Sequence, residues 1–280
     1  MSVGGSSKSG VVVAAFLLLF QAPFLRATEP VGDANAVIRQ AVQTELAASR
    51  DDHSRWRFRD EQFDQNNKVS IVVQTDFGSV KRLIDRGGKP ISQAEARQED
   101  ERINQFIHDP AQLAKKKKDG AQDDKDAADL LTMLPDAFIW KIEGEDATSV
   151  TLHFEPDPKF DPSSLQSRVL AAMNGSVVVD KGQHRIKTIS GKLTQDVTFG
   201  FGLFGRLKQG GTFRVERREL EPGLWQITET HVHIDGKALL FKDIGEQQDE
   251  VQTHYTRVPN GTTLEQAAQL SREGADAAAR

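Results

Sequence analysis

An α+β fold built on a long antiparallel β-sheet is what this sequence predicts, and three observations predict it. From Ala137 onward, β-branched and aromatic segments follow one another, separated by Asn174-Gly175, Lys181-Gly182, Gly210-Gly211, Pro222-Gly223 and Asp235-Gly236. Short sequential strands joined by tight glycine turns build an antiparallel meander. Ahead of them, residues 34–49 and 92–134 carry helix caps and helical spacing. Finally, the chain contains no cysteine, so burial and hydrogen bonding must hold the fold without disulfides.

The first twenty-seven residues read as a secretory signal. Lys8 gives a positive start, residues 10–20 (GVVVAAFLLLF) an apolar run, and Leu25-Arg26-Ala27 a small-residue cleavage site. The run is too short to cross a bilayer as a stable helix. The sequence thus predicts an exported protein, periplasmic in a bacterium, whose mature chain begins near Thr28 and has no transmembrane anchor. About 250 residues then remain: a single β-rich domain over 28–258 with a helical insertion at 92–134, and a tail or terminal helix over 259–280. The formal charge of -5 opposes phosphate backbones, so no nucleic-acid partner is expected. The lack of cysteine excludes thiolate metal sites, cysteine nucleophiles and a lipid-bearing cysteine.

Val37, Ile38, Ala41, Val42 and Leu46 recur at three- and four-residue spacing, giving an amphipathic helix over 34–49 capped by Asp33. Trp56, Phe58 and Phe63 shift the pattern to extended chain. Asp64-Gln65-Asn66-Asn67 is a turn, residues 68–80 a β-branched run, and Gly87-Gly88-Lys89-Pro90 closes this unit. Ser92 with Glu95 forms a capping box for a helix reaching about Ile107. Asp109-Pro110 begins a second helix, which the four lysines 115–118 and Asp119-Gly120 are expected to end. A third, over 123–134, is expected to stop at Pro135. Acidic residues at 119, 123, 124 and 126 follow the lysine run, so it reads as a solvated face. Residues 137–143 and 149–155 form a hairpin, and 164–173 a short helix or strand. Strands are then expected over 175–180, 185–199, 212–220, 224–235 and 237–257. Asn174-Gly175-Ser176 and Asn260-Gly261-Thr262 match the glycosylation sequon but read as turns.

Gly200-Phe201-Gly202-Leu203-Phe204-Gly205 fits G-x-G-x-x-G letter for letter. A dinucleotide site needs a helix at those glycines, and Gly210-Gly211 leaves no room for one. The segment reads instead as a long aromatic turn over the core, or as an apolar lip at a cavity mouth. His231 and His233 share one face of a strand with Glu229, yet a single rigid strand rarely encircles a metal, so no metal is assigned. No G-x-S-x-G, H-E-x-x-H or phosphate loop is present. No cofactor and no catalytic residue are assigned.

The order of helix, hairpin, helical interruption and long meander resembles the periplasmic outer-membrane lipoprotein-sorting carrier superfamily. The local likeness lies in Asn174-Gly175-Ser176-Val177-Val178-Val179-Asp180 and the returning Arg185-Ile186-Lys187. Residues 191–218, with FGFGLFGRLKQGGTFRVERR, and 236–242, with GKALLFK, are similar to a group of uncharacterised exported bacterial proteins. The resemblance implies a curved antiparallel sheet, an incomplete barrel, with the N-terminal helix and the insertion lying on its concave side. It also implies an apolar cavity for a lipid, an acyl chain or a lipidated protein.

The expectation is therefore a non-enzymatic carrier. Trp140, Phe199, Phe201, Phe204, Phe213, Trp225 and Phe241 are the candidate core or ligand-binding residues. Two further readings stand beside it: an envelope interaction module docking a protein partner through 92–134, and a hydrolase in which His231, His233 and Glu229 converge with another residue.

Overall fold

The structure is a computed structural model that describes residues 32–63, 67–199, 205–238, 242–243 and 246–278. The signal-peptide reading of residues 1–27, and Phe201, Phe204 and Phe241, lie outside the described residues. All described residues belong to one unit beginning at Gly32.

Helix α1 (Ala34–Asp51) starts where its cap was expected: the Asp33 carboxylate accepts from the Asn35 amide at 3.0 Å. Four strands follow, β1 (Arg55–Gln62), β2 (Lys68–Thr75), β3 (Gly78–Arg86) and the two-residue β4 (Lys89–Pro90). Gly87 and Gly88 make the last turn at positive φ, which only glycine adopts at no steric cost. Helix α2 (Gln93–Ile107) carries the expected Ser92–Glu95 capping box.

Helix α3 (Pro110–Ala137) corrects the sequence reading, because it runs unbroken through Gly120 and contains Pro135. Lys115–Asp119 and Lys125–Asp129 ion pairs, at 2.6 and 2.5 Å and four residues apart, flank the glycine. Pairs of that spacing support a helix, and one glycine costs only ~1 kcal/mol. Pro135 sits two residues from the helix end, where it removes one late ladder bond.

Strands β5 (Phe138–Glu145) and β6 (Ser149–Pro156), helix α4 (Leu165–Leu170), and strands β7 (Met173–Asp180) and β8 (Ile186–Leu193) come next. Then follow β9 (Val197–Phe199), β10 (Gly205–Leu207), β11 (Thr212–Glu221), β12 (Leu224–Ile234), β13 (Gly236–Ala238), β14 (Lys242–Asp243), β15 (Glu246–Val258) and α5 (Leu264–Ala278). Asn174-Gly175 is not a turn, as its sequence suggested, but lies inside β7. Gly175 faces Gly191 across to β8, while Phe154 and Phe213 lie beside them on β6 and β11. Two glycines paired this way leave a gap that the flanking rings fill. Asn260-Gly261 does form a turn, with Gly261 at positive φ.

The antiparallel order is β4-β3-β2-β1-β15-β12-β11-β8-β7-β6-β5, an 11-stranded sheet. A second sheet, β14-β13-β10-β9, is built from strands that fall between β8 and β11 and between β12 and β15 in the chain. The last strand, β15, pairs with β1 and joins the opening meander to the later one. The incomplete-barrel expectation is overturned: the sheet is not curled or closed, and its outer strands β4 and β5 each have a single neighbour. Helix α3 shows the consequence. Its start packs on α2 and β3 and its end on α1, α4 and β5. A 28-residue helix is ~42 Å long, and nine inter-strand steps from β3 to β5 span ~43 Å. The helix therefore acts as a strut across an open sheet.

Nor do the helices all lie on one side of the sheet, since α5 lies on the face opposite α1. Phe213 pairs with Val232, Val232 with Gln248, Gln252 with Asp60 and Asp60 with Ser70, tracing one face. On this face α1 packs over the largest core, which includes Ile38, Trp140, Leu152, Phe154 and Val177. Ile71 points the opposite way, and α5 lies on it, with Gly274 so close that a Cβ there would stand 3.0 Å from Ile71. Alternation along the strands has put apolar residues on both faces, at opposite ends of the sheet, and each end has recruited its own helix.

Candidate functional site

Between the two ends the sheet's α1-side face is polar, and α3 passes over it. Lys116, Lys117, Gly120 and Asp124 of α3 and Arg102 and Phe106 of α2 form one wall of a cleft of about 1050 Å³. Phe58 and Asp60 of β1, Val72 of β2, Lys81 and Leu83 of β3, and Glu250 and Gln252 of β15 form the opposite wall. A volume of this size suits a small or amphipathic ligand. Edge strand β3 is held to the cleft's rim by side chains: Glu99 accepts from the Leu83 amide at 3.2 Å, and Arg102 donates to the Lys81 carbonyl at 2.6 Å. These bonds satisfy edge groups where β4 stops and tie α2 to the sheet.

The floor of the cleft concentrates charge. Asp60 is only 2 % exposed, and Lys81 Nζ donates to its Oδ2 at 2.5 Å. Its Oδ1 is buried and has no donor among the described residues. Burial pushes the Asp60 carboxyl up to about 6, the neighbouring Glu250 carboxylate adding to this and Lys81 opposing it. Glu250 is held below its ordinary range: burial would raise it, but Asp60, Gln252, Gln248 and Lys81 outweigh that. The amide of Gln252 donates to Glu250 at 2.5 Å and that of Gln248 at 2.9 Å. The Tyr255 hydroxyl stands 2.6 Å from both Gln252 Oε1 and the Ile227 carbonyl, and its single proton serves one of the two at a time. Burial, with the carboxylates of Glu250 and Asp60, drives the Tyr255 phenol upward and keeps it a donor.

The aromatic candidates are placed elsewhere. Trp140 packs with Phe138 and Phe154, ring centroids 5.7 and 5.4 Å away, and its indole donates to the Leu134 carbonyl at 3.3 Å. Phe213 packs against the same core, over Gly191. Trp225 is buried at a different point: its indole donates to Gln183 and Arg185 lies 5.9 Å over its ring. Phe199 ends β9, and Phe201, Phe204 and Phe241 lie outside the described residues. Neither Trp140, Phe213 nor Trp225 lines the α3 cleft. Gly205, the last glycine of the G-x-G-x-x-G match, begins strand β10 rather than a helix, so no helix N-terminus follows that run.

Arg185 also belongs to a buried ion cluster. Glu45 of α1 accepts from its Nε at 3.0 Å and its Nη2 at 3.1 Å, from the Ile186 amide at 2.7 Å, and pairs with Arg217 at 2.5 Å. Burial alone would raise the Glu45 carboxyl, yet the two guanidinium groups hold it below the usual range. This cluster fixes α1 to the sheet, and its groups are all satisfied, so it is structural.

His231 and His233 do point one way, and Asp249 of β15 meets both: His231 Nδ1 and His233 Nε2 each stand 2.7 Å from one of its oxygens. The two imidazoles lower the Asp249 carboxyl, His231 foremost. Glu229 lies 3.7 Å from His231. The group sits on the part-exposed sheet face, away from the cleft, and neither imidazole hydrogen-bonds a hydroxyl group among the described residues. No set of three or more His, Cys, Asp or Glu residues there is arranged to hold a metal ion. No helix among the described residues is long and apolar enough to cross a membrane.

Sequence reasoning missed Asp60, Lys81 and Glu250. The available signal was parity: Asp60 follows Trp56 and Phe58 at period two, so the strand's buried face ends in a carboxylate. No family model, no curated protein and no solved structure matches this chain.

Proposed function

We propose that this chain is an exported, non-enzymatic binding protein that takes up an amphipathic ligand, such as a lipid or an acyl chain, in the cleft between α3 and the sheet. One observation carries the reading. Phe58, Val72, Leu83 and Phe106 line a cleft that also contains a buried carboxylate with an unused oxygen. Apolar walls give about 0.8 kcal/mol for each methylene removed from water, and polar groups at the floor fix orientation. The aromatic core around Trp140 is filled by its own side chains and does not enter this reading.

The test is native mass spectrometry of protein purified from its own cell envelope, followed by lipid extraction. Wild type is expected to retain a stoichiometric ligand. Gly120→Trp, which places a large ring in open space beside the cleft, is expected to release it with the fold intact. Wild type that is reproducibly empty and takes up no fluorescent fatty-acid probe would overturn the proposal.

A second reading has its own observation. Residues 114–119 and 121–125 of α3 are all exposed although they lie mid-helix. That suits an interaction module docking an envelope protein through the insertion. Loss of partner capture on charge reversal at Lys118 and Asp123, which lie outside the cleft, with probe uptake unchanged, would favour it.

A further inference from the structure

Two carboxylates and an ammonium meet at the cleft floor, and one carboxylate oxygen there is left without a donor. Asp60 of β1 and Glu250 of the adjacent β15 supply the carboxylates, and Lys81 reaches Asp60 from β3, across β2. Lys81 occupies Asp60 Oδ2, the amides of Gln252 and Gln248 serve Glu250, and the two carboxyl groups stand within hydrogen-bonding reach of each other, but Asp60 Oδ1 has no donor among the described residues. A buried acceptor left without a donor destabilises the fold, the more so when it is charged. Folds keep such a group where something else completes it.

The geometry points to a primary ammonium on the ligand as the missing partner of the Asp60–Glu250 pair, with the ligand's apolar body lying along Phe58, Val72 and Leu83. Lys81 shows that an ammonium reaches this carboxylate within the cleft, since its Nζ already does so from β3. A compact ammonium suits the place better than a guanidinium. The planar fork of a guanidinium binds both oxygens of one carboxylate, and here Oδ2 is already taken. A ligand carboxylate or phosphate would meet two like charges at the floor. This inference rests on the cleft being the ligand site, and it names the class of head group that site selects.

The test is calorimetric titration of the purified full chain at neutral pH with three probes of equal length: decylamine, decanol and decanoate. Wild type is expected to bind decylamine at least tenfold more tightly than decanol, and decanoate most weakly. Asp60→Asn is expected to bring decylamine within about twofold of decanol. Glu250→Gln gives the same reading should Asp60→Asn fail to fold. Equal binding of amine and alcohol by wild type would overturn the inference and leave the cleft reading intact, as would a preference that survives both substitutions. Binding of none of the three would overturn both.

Discussion

Replacing Gly175 by alanine tests the sheet where its packing is tightest. A Cβ at that position would stand 2.0 Å from the Ser190 carbonyl oxygen, 2.6 Å from Gly191 Cα and 2.8 Å from Phe154 Cζ. Comfortable carbon contacts lie near 3.5–4.0 Å, and the two nearest atoms here are backbone, so no rotamer change relieves them. Strands β7 and β8 must part by roughly an ångström. Overpacking of this kind costs about 1–3 kcal/mol, and weakening two ladder bonds adds about 1 kcal/mol each. A loss of roughly 3–5 kcal/mol follows, which for a domain of this size lowers Tm by about 6–20 °C. Gly120→Ala is the control: the same added methyl, in a helix interior with nothing within 4 Å, is expected to raise stability by about 0.8 kcal/mol. Differential scanning calorimetry and urea unfolding of both variants make the comparison. A Gly175→Ala protein melting like wild type would refute the Gly175–Gly191 pairing and the ring packing built on it.

Other substitutions probe separate parts of the account. Glu45→Gln leaves Arg185 and Arg217 without their carboxylate and is expected to cost about 3–5 kcal/mol. The Glu45 carboxyl is depressed in the folded state, so its contribution is full above the ordinary value of 4.5 and is lost as pH falls below it. The wild-type advantage over Glu45→Gln should therefore shrink on acidification, and a gap unchanged at low pH would contradict the ion cluster. Asp60 runs the other way. Its folded value near 6 exceeds the ordinary 3.8, so the folded state binds the proton more tightly and stability falls as pH rises through that window. About two units correspond to roughly 3 kcal/mol, partly offset by the opposite shift of Glu250. Asp60→Asn should accordingly gain on wild type between pH 4 and 6.5 in urea titrations; parallel curves would argue that Asp60 is not strained. Asp33→Ala removes the cap of α1 and should cost about 1 kcal/mol without altering probe binding.

Much of the architecture was legible because it is local. The Asp33 cap, the Ser92–Glu95 box and the turns at Lys181-Gly182 and Pro222-Gly223 are written in adjacent residues, and they appear where read. The helix α3 was misread because single-residue stop signals, Gly120 and Pro135, were weighed without the ion pairs and end position that neutralise them. Asn174-Gly175 misled for a related reason: a dipeptide that favours turns is used here for close strand approach, which only Phe154 and Phe213 on other strands reveal. The barrel expectation failed because sheet closure is a property of which outer strands meet, and no local pattern encodes that. The cleft was illegible for the same cause. Asp60, Lys81 and Glu250 are distant in sequence and look like ordinary polar strand positions. The aromatics drew attention by size, and Trp140 and Trp225 are consumed by core packing and by the Arg185 cluster.

The central claim is that the ligand enters beneath α3 and not the aromatic core. Hydrogen–deuterium exchange of the full chain, with and without saturating decylamine, tests it directly. The account predicts added protection in residues 68–83, 99–124 and 250–252, and none around 138–154 or at 213. Protection centred on Trp140, Phe154 and Phe213, with the α3 segment unchanged, would contradict it.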